Sequence, residues 1–217
     1  MALIVYSGGL DSTVLLHYLK AAGNADAALL FDYGQRHKKE LEFAAQNCRR
    51  LGVPFDLADL SSITKLFGKS SLTDASVDIP DGHYEDENMK STVVPNRNMI
   101  MISIAAARAI SIGTNQIAYA AHSGDHAIYP DCRSEFAEAL DKVLGLCHYY
   151  PLSLYRPFVD KTKSDIVKLG AELGVDFSLT WSCYKGGGVH CGTCGTCTER
   201  KEAFRLAGVP DPTVYLA

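Results

Sequence analysis

Short apolar runs alternate with longer mixed stretches along most of the chain. Ala2-Leu3-Ile4-Val5-Tyr6 is a continuous apolar run, as expected of a strand covered on both faces. It ends in Ser7-Gly8-Gly9-Leu10-Asp11-Ser12-Thr13, and a helical pattern occupies 12–22. Residues 27–33 predict a second strand, and 37–51 a helix stopped by Leu51-Gly52-Val53-Pro54. Further strands are predicted over 55–60, 116–121 and 152–156. Helices are predicted over 98–112, 135–146, 162–173 and 198–207. The helix over 98–112 is apolar and alanine-rich, which predicts burial of most of its surface. This alternation predicts an α/β fold: a doubly wound, parallel, five-stranded Rossmann-like sheet with helices on both faces.

Residues 61–93 break the rhythm. Gly68-Lys69-Ser70-Ser71, Ile79-Pro80-Asp81-Gly82 and Glu85-Asp86-Glu87 predict a mobile insertion over the edge of the sheet. The expected organisation is an α/β nucleotide-binding domain over 1–180, with a metal-binding segment over 181–217 packed on it.

Composition narrows the class. A chain of 217 residues, 47% hydrophobic, can bury a sizeable core in one or two domains. It has no apolar run of about 18 residues, so no membrane span is expected. The first residues lack a basic leader and a small-residue cleavage site, so a cytoplasmic location is expected. A net charge of −4 argues against a protein that grips a nucleic-acid backbone.

The glycine loop carries the first chemistry. A buried strand turning through glycines into a helix gathers backbone N–H groups and a helix N-terminus at one point, which attracts anions. The glycines let the main chain approach a phosphate, and the hydroxyls of Ser7, Ser12 and Thr13 add donors. Asp11 would repel phosphate unless a metal bridged them, so the loop reads as a nucleotide site that handles Mg2+. No lysine follows the glycines as in G-x-x-x-x-G-K-[ST], and the G-x-G-x-x-G fingerprint is absent. Tyr33-Gly34-Gln35-Arg36-His37 and His122-Ser123-Gly124-Asp125-His126 follow the second and fourth predicted strands. All three loops should therefore face one crevice at the carboxyl ends of the strands.

The chain has seven cysteines, and four of them are spaced Cys183-x7-Cys191-x2-Cys194-x2-Cys197. Four thiolates at this spacing can close a tetrahedral Zn2+ site. An iron–sulfur cluster uses similar spacing, so both metals stay open. Four closed ligands leave no open position, which makes the centre structural. Cys48, Cys132 and Cys147 read as packing residues, and His190 flanks the centre.

Ser-Gly-Gly-x-Asp-Ser at the end of a first strand resembles the PP-loop of the ATP pyrophosphatases. The superfamily includes synthetase domains of GMP and asparagine synthetases, tRNA-lysidine synthetases and tRNA thiolases. Four further blocks occur in order: Tyr33-Gly34-Gln35-Arg36-His37, Val94-Pro95-Asn96-Arg97-Asn98, Tyr129-Pro130-Asp131-Cys132-Arg133-x-Glu135-Phe136 and Thr180-Trp181-Ser182-Cys183-Tyr184. With the cysteines, they make residues 2–207 resemble the QueC family of queuosine biosynthesis. The resemblance implies conversion of 7-carboxy-7-deazaguanine, ammonia and ATP into 7-cyano-7-deazaguanine, with Mg2+, a structural Zn2+ and a homodimer.

It also implies roles for residues. Tyr6, Ser7, Gly8, Gly9, Leu10, Asp11, Ser12 and Thr13 would hold the nucleotide, with Asp11 reaching it through Mg2+. Phe31 and Tyr33 would carry the adenine. Arg36, His37, Arg97, Asp131 and Arg133 would bind the substrate. Asp11, Arg97 and Lys163 would be catalytic, Lys163 by offsetting charge on departing pyrophosphate. One loop departs from the family pattern: Ala121-His122-Ser123-Gly124-Asp125-His126-Ala127-Ile128 places two histidines before the Tyr-Pro-Asp-Cys-Arg block. Three alternatives are a relative that stops at the amide, a PP-loop ligase acting on tRNA, and a non-catalytic zinc-ribbon module.

Overall fold

The structure is a computed structural model that describes residues 1–216, with Asp125 described by its backbone alone. Five parallel strands, β1 (Ala2–Val5), β2 (Ala25–Asp32), β3 (Phe55–Asp59), β4 (Gln116–Ala118) and β5 (Ser153–Tyr155), lie in the order β3-β2-β1-β4-β5. The helices are α1 (Leu10–Ala21), α2 (Lys39–Leu51), α3 (Arg97–Ser111), α4 (Ser134–Leu144), α5 (Lys163–Glu172) and α6 (Gly195–Ala207).

Strand period sorts the core into two layers. Leu3, Leu29 and Phe31 point to the face covered by α3 and α4, where they meet Ile102, Ala105 and Leu140. Ile4 and Leu30 point to the other face, among Leu15 of α1, Ala44 of α2, Val167 of α5 and Phe204 of α6. The strand order reverses at β1. The chain runs outward through β2 and β3 on one side and through β4 and β5 on the other, so the loops after β1 and β4 diverge and leave a crevice.

Two expectations are corrected. Helix α3 buries a stripe of Met101, Ile102, Ala105, Ala106 and Ala109 but leaves Met99 and Ser103 exposed. Its small residues serve close approach to the sheet on one face only. Residues 61–93, expected as a mobile insertion, are anchored to the fold at several points. Phe67 and Leu72 enter the main core, Met89 is buried, and the Ser71 amide donates to the Ser91 carbonyl at 2.8 Å. A long insertion that carries its own apolar anchors packs down because burial offsets the entropy of ordering it.

The chain beyond residue 180 shares the sheet's core through Ala203 and Phe204 of α6. It also joins the insertion: the Gly82 amide donates to the Thr193 carbonyl at 3.1 Å, and Lys185 pairs with Asp81 at 2.6 Å.

Candidate active site

The loop after β1 is shaped by its own side chains. Thr13 donates to the Gly9 carbonyl at 2.8 Å and lies 3.1 Å from the Tyr6 hydroxyl, tying the start of α1 to the end of β1. Ser7 and Ser12 hydroxyls meet at 3.0 Å, and the Gly9 amide donates to Ser7 Oγ. Gly8 has φ +85°, and a Cβ there would stand 2.2 Å from the Glu40 carbonyl oxygen.

The loop borders a cleft of about 240 Å³. At one end lie Ser7, Gly9, Asp11, Ser12, Lys163 and Glu199. At the other lie Phe31, Tyr33, His37, Glu40, Arg97 and Tyr129, with Tyr6 and Leu10 also in the lining.

Asp11 sits in a charged cluster. Its Oδ2 is 3.3 Å from Lys163 Nζ and 3.7 Å from His122 Nε2. Burial pushes its carboxyl up, but Lys163 and His122 outweigh this and hold it below the ordinary range. Asp11 Oδ1 is buried without a hydrogen-bond partner, a cost that a bound cation would remove. Lys163 also donates to Glu199 Oε2 at 2.6 Å.

The far end is buried and mixed. Arg97 donates to the Tyr33 hydroxyl at 3.3 Å, with its guanidinium over the Tyr33 ring. Glu40 accepts from Gln35 Nε2 at 3.1 Å and lies 3.5 Å from His37 Nε2. Burial pushes the Glu40 carboxyl up to about 8, against the opposing pull of Gln35 and Arg97. Burial, with Arg97 nearby, drives His37 down to about 3, so its ring is neutral at pH 7.

Not every residue singled out in the sequence reaches this cleft. Thr13 turns into the protein, and Gly8 packs against α2 instead of opening onto the cavity. Arg36 is exposed, and donates to the Val77 carbonyl at 3.0 Å, pinning the insertion. Asp131 Oδ2 accepts from the Asn98 amide at 3.0 Å, holding the start of α3. Arg133 is exposed and donates to the His126 carbonyl at 3.0 Å. These three hold loops and do not line the cleft. Glu40 and Glu199 each lie in a run of charged residues, a pattern that marks a solvated helix face, so the sequence alone does not single them out. His122 lies in the loop after the fourth predicted strand, in the stretch that departs from the family pattern; the structure buries it between Asp11 and Glu199.

The sulfurs of Cys183, Cys191, Cys194 and Cys197 all lie within 4.8 Å of one another. Zinc with Zn–S bonds of ~2.3 Å needs sulfurs about 3.8 Å apart, and Cys191 and Cys197 are 3.9 Å apart. The Cys191 and Cys194 amides point at cysteine sulfurs, as suits thiolates. The four residues could hold a metal ion.

A model of the family described as "Queuosine biosynthesis protein QueC" matches residues 1–208. The chain belongs to the QueC family. The match ends just beyond α6, so it takes in both the cleft and the cysteine centre. A relative from Caldicellulosiruptor bescii, named 7-cyano-7-deazaguanine synthase, is 53% identical over 214 residues, 99% of this chain and 96% of its own. Relatives of the same name from Alteromonas mediterranea and Methanoregula boonei are 50% and 51% identical, over 98% and 99% of this chain and 97% and 98% of theirs.

Two solved structures share the fold. The NH3-dependent NAD synthetase from Campylobacter jejuni is similar at TM-score 0.52 and 17% identity, over 82% of this chain and 66% of that one. The NMN synthetase from Francisella tularensis is similar at TM-score 0.52 and 15% identity, over 96% and 77%.

Proposed function

We propose that this QueC chain converts 7-carboxy-7-deazaguanine and ammonia into 7-cyano-7-deazaguanine, driven by ATP. The observation that carries the reading is a single cleft. It joins the Ser7–Ser12 loop and Lys163 at one end to Arg97 and an aromatic, buried compartment at the other.

A carboxylate is a poor electrophile because oxide is a poor leaving group. Attack of a carboxylate oxygen on the α-phosphorus of ATP breaks the bond to pyrophosphate and leaves an acyl adenylate. Ammonia then adds to the carbonyl carbon, AMP leaves with its bonding electrons, and a proton is lost, giving the amide. The amide oxygen attacks the α-phosphorus of a second ATP, and a second pyrophosphate leaves. Loss of two N–H protons and expulsion of AMP leave the C≡N bond. Both activations occur at one oxygen, so one site serves both.

In this reading Lys163 offsets charge on departing pyrophosphate, and Ser7 and Ser12 hydrogen-bond the phosphates. Arg97 meets the substrate carboxylate, a contact that its planar fork suits. Tyr33 and Phe31 supply flat surfaces for a bicyclic base. Asp11, with its unpartnered Oδ1, would hold Mg2+, which supplies screening of phosphate charge. Zn2+ in the cysteine centre would be structural. The nucleotide-binding domain spans 1–180, and the metal-binding segment 181–217.

The partners are free small molecules in the cytoplasm, with no stable nucleic-acid partner. The net charge of −4 supports this, and among the described residues no helix is long and apolar enough to cross a membrane. The chain acts as a homodimer, for which the exposed Val143, Leu146 and Tyr149 offer apolar contact.

The test incubates the metal-loaded protein with ATP, Mg2+, ammonium and 7-carboxy-7-deazaguanine, and reads products by mass spectrometry. The nitrile is expected. Accumulation of amide alone, or turnover of tRNA in place of the free base, would overturn the reading.

A further inference from the structure

Lys163 occupies an awkward place. It is the first residue of α5, directly after the Thr162 cap, where the helix dipole disfavours a cation. The Thr162–Asp165 capping box fixes the backbone there but leaves the lysine side chain to find its own position. Among the described residues, Glu199 Oε2 at 2.6 Å and Asp11 Oδ2 at 3.3 Å receive it.

The two carboxylates differ in what holds them. Asp11 belongs to the loop that would bind nucleotide, and its own charge is committed there. Glu199 comes from α6, whose N-cap is Cys194 and whose first turn carries Cys197. It is 8% exposed, and its other oxygen lies 4.0 Å from His122 Nε2. Gly195, at the start of the same helix, lies so close to Met89 that a Cβ would stand 2.8 Å from the sulfur. The helix is therefore clamped on the side of the insertion as well.

A second cavity of about 310 Å³ lies on the far side of the pair, with Lys163 and Glu199 in the linings of both cavities. With Tyr84 and Gly124, the pair borders both the cleft and a groove that contains Glu85 and Glu202. Released from Glu199, the flexible lysine stem would have this groove to enter, with other carboxylates to meet.

We propose that Glu199 is a positioning residue that holds the Lys163 ammonium at the phosphate end of the cleft, and that the metal in the cysteine centre exerts its effect on the reaction through it. Both halves name the cleft by its reading as an ATP site, but the hold of Glu199 on Lys163 does not depend on that reading. Cys197 and Glu199 lie within one turn of α6, so metal that orders this turn also orders the carboxylate. The cysteine centre then does more than stabilise the fold.

The experiment has two arms, both on the full metal-loaded chain. The first is a double-mutant cycle with Glu199→Gln and Lys163→Ala, with metal content and melting temperature measured for each variant. Glu199→Gln should lower kcat about 10- to 100-fold, as loss of a group that orients an active residue typically does. Added to Lys163→Ala, it should cost less than about twofold more. The second arm measures acetylation of the Lys163 amine by acetic anhydride, read by mass spectrometry against Lys20 and Lys142 in the same chain. Glu199→Gln, and separately chelation of the metal, should each raise relative Lys163 labelling several-fold. Fully additive losses, or Lys163 labelling unchanged by Glu199→Gln, would overturn the proposal. The labelling arm needs no turnover, so it decides the role of Glu199 even if the chain makes no nitrile.

Discussion

The space that a side chain on Gly8 would need is filled by the carbonyl of Glu40, 2.2 Å from where the Cβ would sit. Gly8 also has φ +85°, a conformation that other residues adopt only with strain. Its partner Gly9 has φ −71°, and its nearest outside neighbour is Ser7 Oγ at 3.2 Å. The two glycines of the motif therefore do different work. Gly8 lets the first turn of α2 close against the loop, while Gly9 faces the cleft.

Replacement should separate them. Gly8→Ala should cost at least ~3 kcal/mol, from the clash and the strained backbone together. At this chain length that is a fall in melting temperature of about 6–12 °C. Gly9→Ala should cost less than ~1 kcal/mol and act mainly on nucleotide affinity. Thermal melts paired with ATP titration calorimetry test both; equal melting temperatures would refute the assignment.

Asp11→Asn should lower turnover at least ~100-fold while the cysteine centre keeps its metal. Asp11 is held low by Lys163 and His122 against its burial. A carboxylate lowered in this way contributes stability above its unfolded pKa, and that contribution is lost as pH falls through the folded value. The wild type should thus lose its stability margin over the Asn variant as pH drops below ~4. Denaturant melts at stepped pH, with metal analysis, check both parts.

Glu40 has the opposite sign. Burial pushes its carboxyl up to about 8 from the ordinary 4.5. Between these values the folded state keeps a proton that the unfolded state has lost. Its presence below the lower value is stabilising, and stability drains away as pH rises toward about 8. Glu40→Gln should remove that drain and gain on the wild type across this range, by the order of a few kcal/mol. Urea melts at pH 5 and pH 8.5 test it; a constant gap between the two proteins would show that Glu40 ionises normally.

Cys194→Ser should empty the metal centre and lower stability, and it should also slow turnover, because α6 brings Gly195, Thr196 and Glu199 to the cleft. Cys147→Ser, at an exposed position, should change neither metal content nor melting temperature. Metal analysis of the two purified variants decides.

Arg200 is wholly buried and donates to Thr180 Oγ1 at 2.7 Å, Ser182 Oγ at 3.2 Å and the Phe177 carbonyl at 3.1 Å, with Asp211 as its ion partner. Arg200→Met should cost ~3–5 kcal/mol, since it removes the ion partner of Asp211 and the donor shared by Thr180, Ser182 and Phe177, although Tyr215 and Thr213 still bond Asp211. The loss should show in melts of the metal-loaded protein, and it should reach the cleft because the neighbouring Trp181 amide bonds the Gly8 carbonyl.

The sequence by itself determined what depends on near neighbours along the chain. Strand and helix periods, the strand–glycine–helix turn at Ser7–Thr13 and the two-residue cysteine spacings are local patterns, and the parallel sheet follows from them. Boundaries shifted by up to three residues, because caps such as the Thr162–Asp165 box set them. Only the tertiary structure decided which charged residues were buried. Glu199 meets Lys163 across 36 positions, and Asp11 meets His122 across the whole span from β1 to the loop after β4. Those meetings follow from the strand order, which sets β1 beside β4 and folds α6 back over α5. Letters alone give Glu40 and Glu199 the look of solvated helix residues and give Arg36, Asp131 and Arg133 the look of ligands. The fold buries Glu40 and Glu199 at the cleft and gives Arg36, Asp131 and Arg133, which do not line it, backbone partners, because the surroundings of a charged side chain are assembled from segments far apart in the chain.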